Sequence, residues 1–484
     1  GLCARAGAGL RGTYAVRMRT GPLPYPVDVA ARLARLVERP WFVYLDSCRE
    51  RALGGRYDIV ACDPIATLVT RGAHTAIADA QTLRLEEGDP FQVLDAELAR
   101  RLPTAVPANT GPFAGGAIGY FAYDLARRLE RLPSTAARDI ALPEMAVGIY
   151  GWAIVVDHDE RRASLVIHPD ARCDVARVVG AWTAQPPLTP AAFATSFTVS
   201  ASVRPEMSFD EYAAAWRRIK HYIREGDVYQ VNLTQRFSAP VQGHPWDAYQ
   251  RLRNLNPAPF SAYFATPDGS VLSSSPERFL RVEGRHIKTR PIKGTRPRGA
   301  TLAEDGALAD ELARSPKDRA ENVMIVDLLR NDLGRSCAPG TVRVPRLFVV
   351  ESYRKVHHLV STVEGELAAG VSALDALRNC FPGGSITGAP KLRAMEIIEE
   401  LEPCRRSVYC GAIGYVSRSG HMDTNIAIRT LVCARDRMFC WAGGGIVMDS
   451  DLAAEYAECL AKAAAMLDVF AGAEIAHVGR EDRR

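Results

Sequence analysis

The chain has 484 residues, 47% hydrophobic and 24% charged, the composition of a folded globular protein long enough for more than one structural unit. Its 60 basic and 56 acidic residues leave a net charge of +4, too balanced for a nucleic-acid or membrane-surface binder, and no apolar run reaches the roughly 18 residues of a membrane span. Eleven cysteines lie scattered without a CxxC pair or zinc-like spacing, the pattern of reduced thiols in a cytoplasmic protein.

Residues 1–20 carry four arginines and no acid. No apolar segment follows, so they are not a secretory signal and read as a tail or processed end. In residues 21–182, strand-like runs such as "WFVYLDS" and "WAIVVDH" sit beside Gly-rich turns such as "GPFAGGAIGY". Residues 183–205, rich in Pro, Ala, Ser and Thr, read as a linker. In residues 206–470, the strands "SSSPERFLRV", "RLFVVES" and "GAIGYVS" mix with long helical patterns, and 471–484 read as a second tail. Strands and helices do not alternate regularly, which excludes a doubly wound parallel sheet and favours an α+β fold with large antiparallel sheets.

Three helices matter. In "SPKDRAENVMIVDLLRNDLG", Ser315 reads as N-cap, Pro316 as N1 and Asp318 at the capping-box position, with Gly334 as the stop. "APKLRAMEIIEELEP" starts at Pro390 and ends before Pro403; "SDLAAEYAECLAKAAAML" is capped by Ser450 or Asp451.

Several side chains could carry chemistry. In "TRPIKGTRPRG" Lys293 stands among Arg290, Arg296 and Arg298; nearby cations favour a neutral, nucleophilic amine, whereas a plain basic loop would merely pair with a carboxylate. Glu455, Glu458 and Lys462 share one helix face, and Asp318 and Glu321 form a second acidic pair. The two pairs face each other only with a cation such as Mg²⁺ between them; otherwise they are solvated faces. "FPGGSITGAPK" is a Gly-rich approach to a helix, either an anion site or a tight turn. It is not a P-loop, because Ala389 follows Gly388 where lysine is required. "AGGGIV" is a second close-approach loop with the same two readings. Arg429 in "NIAIRT" is a carboxylate clamp or an edge-strand arginine. Glu277 is a desolvated general acid or an exposed strand-start acid. His358 is a proton carrier or a satisfied core histidine.

Taken in order, "EGDVYQVNLTQRF", "SPERFL", "PIKGTRPRG", "AENVMIVDLLRNDLGR", "HHLVSTVEGEL", "PGGSITGAPKLRAMEIIEELEP", "NIAIRT" and "AGGGIVMDSDLAAEYAECLAKAAAML" resemble the motifs of the chorismate-utilising enzymes. "YLDS", "GRYDIVACDP" and "GGAIGYFAYD" resemble the N-terminal region that accompanies them. The resemblance implies an anthranilate synthase-like fold, a sandwich of large antiparallel sheets with helices outside. Anthranilate-forming members read "PIAGTR"; Lys293 replaces that alanine and points to the members that make 4-amino-4-deoxychorismate for 4-aminobenzoate and folate. Gln230 stands where isochorismate- and salicylate-forming members carry a base lysine.

The resemblance further implies roles. Glu321 and Glu458 hold Mg²⁺, with Asp318 and Glu455 beside them directly or through water. Thr295, His358, Tyr409, Arg429, the Gly443, Gly444 and Gly445 backbone and Lys462 line the chorismate pocket. Glu277 protonates the departing C4 hydroxyl, Lys293 attacks C2, and ammonia enters at C4 and expels the lysine. No cysteine sits in a Gly-x-Cys-x-Gly elbow, so ammonia comes from a separate glutamine amidotransferase subunit. Asp46 and Ser47 in "YLDS" resemble a tryptophan-holding segment, Asp46 taking the ligand ammonium. The other readings are an anthranilate-forming subunit and a catalytically silent tryptophan-binding regulator.

Overall fold

The computed structural model describes residues 19–49, 55–184 and 197–469. Most of the first tail, the middle of the linker and the C-terminal tail lie outside them. Arg19 and Thr20, assigned to the tail, open the strand Arg19–Leu23.

Two large sheets, of thirteen and twelve strands, dominate the described residues, and nine α-helices are described with them. The β-branched and aromatic runs pair antiparallel, as expected for sheets with one face on a core. In the thirteen-stranded sheet Val43–Asp46 pairs with Phe260–Thr266; in the twelve-stranded sheet Gly116–Phe121 pairs with Ala412–Ser417. Regions 21–182 and 206–470 therefore share both sheets, with segment 183–205 joining them. The segment "GAIGYF", most of it read as a turn, is the fully buried strand Gly116–Phe121.

One core fills the space between the sheets, with Val43, Ile59 and Val271 from one facing Ile118, Val147 and Ile413 from the other. A second lies on the outer face of the thirteen-stranded sheet, where Trp182, Trp246 and Met466 pack from helices. The α+β sandwich expected from the sequence is the observed architecture.

Three helix starts follow local chemistry. The Ser315 side chain accepts from the Asp318 backbone N–H, and the Asp451 side chain from that of Ala454. The third helix begins at Lys391, with Pro390 as its N-cap rather than its first residue.

Candidate active site

Two neighbouring breaks position the acid and the arginine. "SSSPERFLRV" is not one strand. Gly269–Ser275 ends in the thirteen-stranded sheet and Arg278–Glu283 begins in the twelve-stranded one, because Pro276 cannot donate to a ladder. Glu277 occupies the crossing. "NIAIRT" crosses back: Met422–Ile426 ends in one sheet and Thr430–Ala434 starts in the other. Arg429 lies in that turn, at φ 48°, not in a strand. The crossings are stitched by Ser275 Oγ donating to the Ile426 carbonyl at 2.6 Å and the Ser274 N–H donating to the Arg429 carbonyl at 3.0 Å.

Glu277 is 6% exposed. Burial pushes its carboxyl up to about 7, against a hydrogen bond from Ser385 and the charge of Lys293. That is the protonation range of a general acid working near neutrality. Arg429 reaches solvent, yet protein crowds it enough for desolvation to lower its pKa. Among the described residues no acid pairs with its guanidinium, which leaves its donor fork free for an anionic ligand.

Lys293 lies on the strand Ile292–Pro297. Ile292 pairs with Val360 and Thr295 with His358, so this strand carries one more residue than its partner across Lys293 and Gly294. Gly294 has φ +91°. Such a bulge re-aims the side chain beside it. Lys293 is half-buried by area but closely surrounded. Burial lowers its pKa most, Glu321 and Glu277 oppose, and Lys462 lowers it further. The three arginines do not supply the cation expected of them. Arg290 pairs with Glu351, Arg296 with Glu311 and Asp318, and Arg298 with Asp305. The neighbouring cation is Lys462.

The acidic pairs approach from two helices. Burial raises the Glu321 carboxyl, and Asp318 and Glu455 add to the rise against Lys293 and Lys317. Burial likewise raises Glu455, whose carboxylate accepts from Ser450 Oγ at 2.8 Å. Burial would raise Glu458 too, but Lys462 at 2.7 Å outweighs it and the carboxyl is lowered. Asp318 does not complete a capping box; its carboxylate meets Arg296 at 3.0 Å and adds to the rise of Glu321. Among the described residues no three His, Cys, Asp or Glu close around one point. The carboxylates present still fit Mg²⁺, which keeps several waters and needs only one or two of them. Their mutual repulsion is the charge imbalance a divalent cation relieves.

The other residues divide. Thr295 Oγ1 and His358 Nδ1 lie 2.9 Å apart. Burial first, then Arg429, lowers His358 to about 4, so it stands neutral beside the arginine. Gly443, Gly444 and Gly445 lie on the strand Arg437–Ile446 against Gln230–Gln242. A Cβ on Gly443 would stand 2.1 Å from the Leu233 carbonyl oxygen, so the close approach demands glycine. Lys462 Nζ donates to the Gly443 carbonyl at 3.0 Å. Tyr409 is buried and stacked on Trp441, ring centroids 5.7 Å apart, on the strand that carries the glycines.

Asp46 and Ser47 lie elsewhere, in the wall of a cavity of about 330 Å³ between the sheets. The expectation that Asp46 receives a ligand ammonium is not met. Its carboxylate accepts from Arg253 Nε at 2.6 Å, Tyr249 OH at 3.0 Å and the Cys48 N–H at 2.7 Å, and Ser47 Oγ donates to Asp58 at 2.6 Å. Sequence reasoning missed Ser385, whose backbone carbonyl lies 3.5 Å from Lys293 Nζ. Its loop "FPGGSITGAPK" stood out, but no local signal marked the serine.

A family model described as chorismate binding enzyme matches residues 42–468. The chain is 48% identical to aminodeoxychorismate synthase component 1 of Klebsiella aerogenes over 91% of this chain and 96% of that one. It is 44% identical to anthranilate synthase component 1 of Streptomyces coelicolor over 80% and 79%. Among solved structures, anthranilate synthase component I from Streptococcus pneumoniae TIGR4 matches with TM-score 0.75 and 32% identity, over 86% of this chain and 92% of that one. No helix of the described residues is long and apolar enough to cross a membrane.

Proposed function

The chain belongs to the chorismate-binding enzyme family, and from that premise we propose that it converts chorismate and ammonia to 4-amino-4-deoxychorismate, as an aminodeoxychorismate synthase component 1. The observation that carries the reading is the pairing of a buried acid with a bulge-borne lysine of lowered pKa, at a position where anthranilate-forming relatives look different. In this reading residues 206–470 supply the chorismate-facing groups. Arg429, Thr295 and the Gly443–Gly445 strand bind the enolpyruvyl carboxylate side. Lys293 adds to C2 as Glu277 protonates the C4 hydroxyl, which leaves as water. Ammonia then adds at C4, the C2–lysine bond breaks, and the lysine is free for the next cycle. The enolpyruvyl group stays in place. The chain works in the cytoplasm with chorismate as its substrate.

The deciding experiment is mass spectrometry of the product from chorismate, Mg²⁺ and ammonium salts. Aminodeoxychorismate is expected. Anthranilate would sink the assignment in favour of the second family reading, and no turnover would favour the silent regulator. With glutamine instead of ammonium the chain alone is expected to make nothing, because ammonia then has to come from an amidotransferase partner; activity should appear when such a subunit is added.

Glu321 and Glu458 would hold Mg²⁺, with Glu455 behind them, and the ion would bind the ring carboxylate and offset its charge. EDTA is expected to stop turnover and Mg²⁺ to restore it. Glu458→Gln should weaken Mg²⁺ affinity measured calorimetrically by about tenfold or more. Asp327→Asn, an exposed change on the Pro316–Gly334 helix, should leave it unchanged. Full turnover in metal-free buffer would remove the metal from the mechanism.

A further inference from the structure

The turn that leads from the glycine strand into the Leu452–Leu467 helix is fastened by one lysine. Lys220 is buried on the helix Phe209–Glu225. That helix is seated on the Leu452–Leu467 helix, where Tyr212 and Tyr456 have ring centroids 5.0 Å apart. Among the described residues no carboxylate pairs with Lys220. Its ammonium donates instead to the backbone carbonyls of Val447 at 3.1 Å, of Met448, and of Ser450 at 3.3 Å. An ammonium has three protons and accepts nothing, so its whole bonding capacity is spent on this one turn. A buried charge stripped of those partners is costly, and the turn therefore keeps its place.

The turn closes on itself through Ser450. The Ser450 N–H donates to the Val447 carbonyl at 3.1 Å, and Ser450 Oγ accepts from the Val447 N–H at 3.1 Å. The single proton of the hydroxyl then goes to Glu455 Oε1, 2.8 Å away. The other oxygen of that carboxylate lies over the glycine strand. A Cβ built on Gly444 would stand 3.2 Å from Glu455 Oε2 and 4.0 Å from Lys462 Nζ. Among the described residues no group donates a hydrogen bond to Oε2. One oxygen of Glu455 is thus occupied and the other is open on the side of Lys462, the residue that pairs with Glu458 at 2.7 Å.

On the reading that Mg²⁺ binds between these carboxylates, we propose that Ser450 is a positioning residue for the metal site: held in place by Lys220, it takes one oxygen of Glu455 and leaves the other, above Gly444, set for the ion or for a water bound to it. Lys220 acts at one remove, by fixing the turn. A glutamate gives up rotamer freedom when it takes a ligand. A carboxylate already held by a hydroxyl has less to give up, and such outer hydrogen bonds strengthen metal binding without touching the metal.

The test is calorimetric binding of Mg²⁺ to the full chain without substrate, so that chemistry does not enter the readout. Ser450→Ala is expected to weaken Mg²⁺ affinity by about tenfold or more, and Ser450→Thr, which keeps the hydroxyl, to recover most of it. Lys220→Met keeps the stem and removes the donors. It should weaken affinity too, and should add little to Ser450→Ala, because both changes act on the same carboxylate. In a Glu455→Ala background the group that Ser450 acts through is gone, so Ser450→Ala should then change affinity by less than about twofold. Wild-type affinity in Ser450→Ala overturns the proposal. So does an equal loss with and without Glu455, since that is a packing effect. Should Ser450→Ala not fold, Ser450→Cys, a weak donor of similar size, carries the same comparison. A wild-type chain that binds no Mg²⁺ would overturn the metal reading itself; binding that is indifferent to Ser450 would overturn only this role.

Discussion

Lys293→Arg is expected to lower conversion of chorismate to aminodeoxychorismate by at least about 10³-fold, the scale seen when a covalent nucleophile is removed. A lysine at the usual pKa of about 10.4 is neutral in only about one molecule in two thousand at neutral pH, and only the neutral amine attacks. Burial and Lys462 lower the pKa, while Glu321, Glu277 and Glu458 hold it up. Offsetting those carboxylates with a divalent cation shifts the balance further toward the free amine. Arginine keeps the positive charge and the reach, so a residue that merely paired with a substrate carboxylate would survive the change with modest loss. Arginine cannot add to C2. The wild-type enzyme given chorismate and Mg²⁺ without ammonia should accumulate an adduct, on the peptide containing Lys293, with the mass of chorismate less water. Near wild-type turnover by Lys293→Arg, or no adduct under those conditions, would show that the lysine does not form the bond.

What the sequence made legible was local or periodic. Ser315 caps its helix as read, and Asp451 is the one of the two caps offered that does so, because a cap depends on residues two or three positions away. Large antiparallel sheets followed from strands that refuse to alternate with helices. The site residues came from motif order, not from spacing, and the structure brings most of them together. Glu277, Lys293, Glu321, Glu455, Glu458 and Lys462 act on one another electrostatically, and Thr295 reaches Arg429 through His358.

What stayed hidden depended on long-range partners. Three arginines beside Lys293 read as its electrostatic support, but each found an acid elsewhere, Glu351 in one case lying 61 residues from Arg290. Asp46 read as a free acceptor because Arg253 is 207 residues away. The break inside "SSSPERFLRV" was masked by its continuous apolar character, since hydrophobicity does not say which of two stacked sheets a strand joins. Ser385 was invisible for a related reason. A serine in a Gly-rich loop looks like turn chemistry until the fold brings Lys293 to its carbonyl.

Glu277→Gln is expected to cost about 10²–10⁴-fold in kcat, the range for loss of a positioned general acid, with little change in KM. Glutamine has nearly the same shape, so packing at the sheet crossing survives. It has no proton to give to the departing hydroxyl. The pH dependence sharpens the distinction. A carboxyl raised to about 7 by burial is protonated below that pH and ionised above it, so wild-type kcat/KM should fall as pH rises through about 7. Lys293 imposes the opposite limb, because its amine must be neutral, and the two together give a bell. In Glu277→Gln the alkaline limb should vanish, leaving a small residual rate that only rises with pH until the lysine is fully neutral. If the variant instead works within about twofold of wild type and keeps the bell, the raised pKa belongs to a merely buried carboxyl, and the proton that releases water from C4 comes from another group.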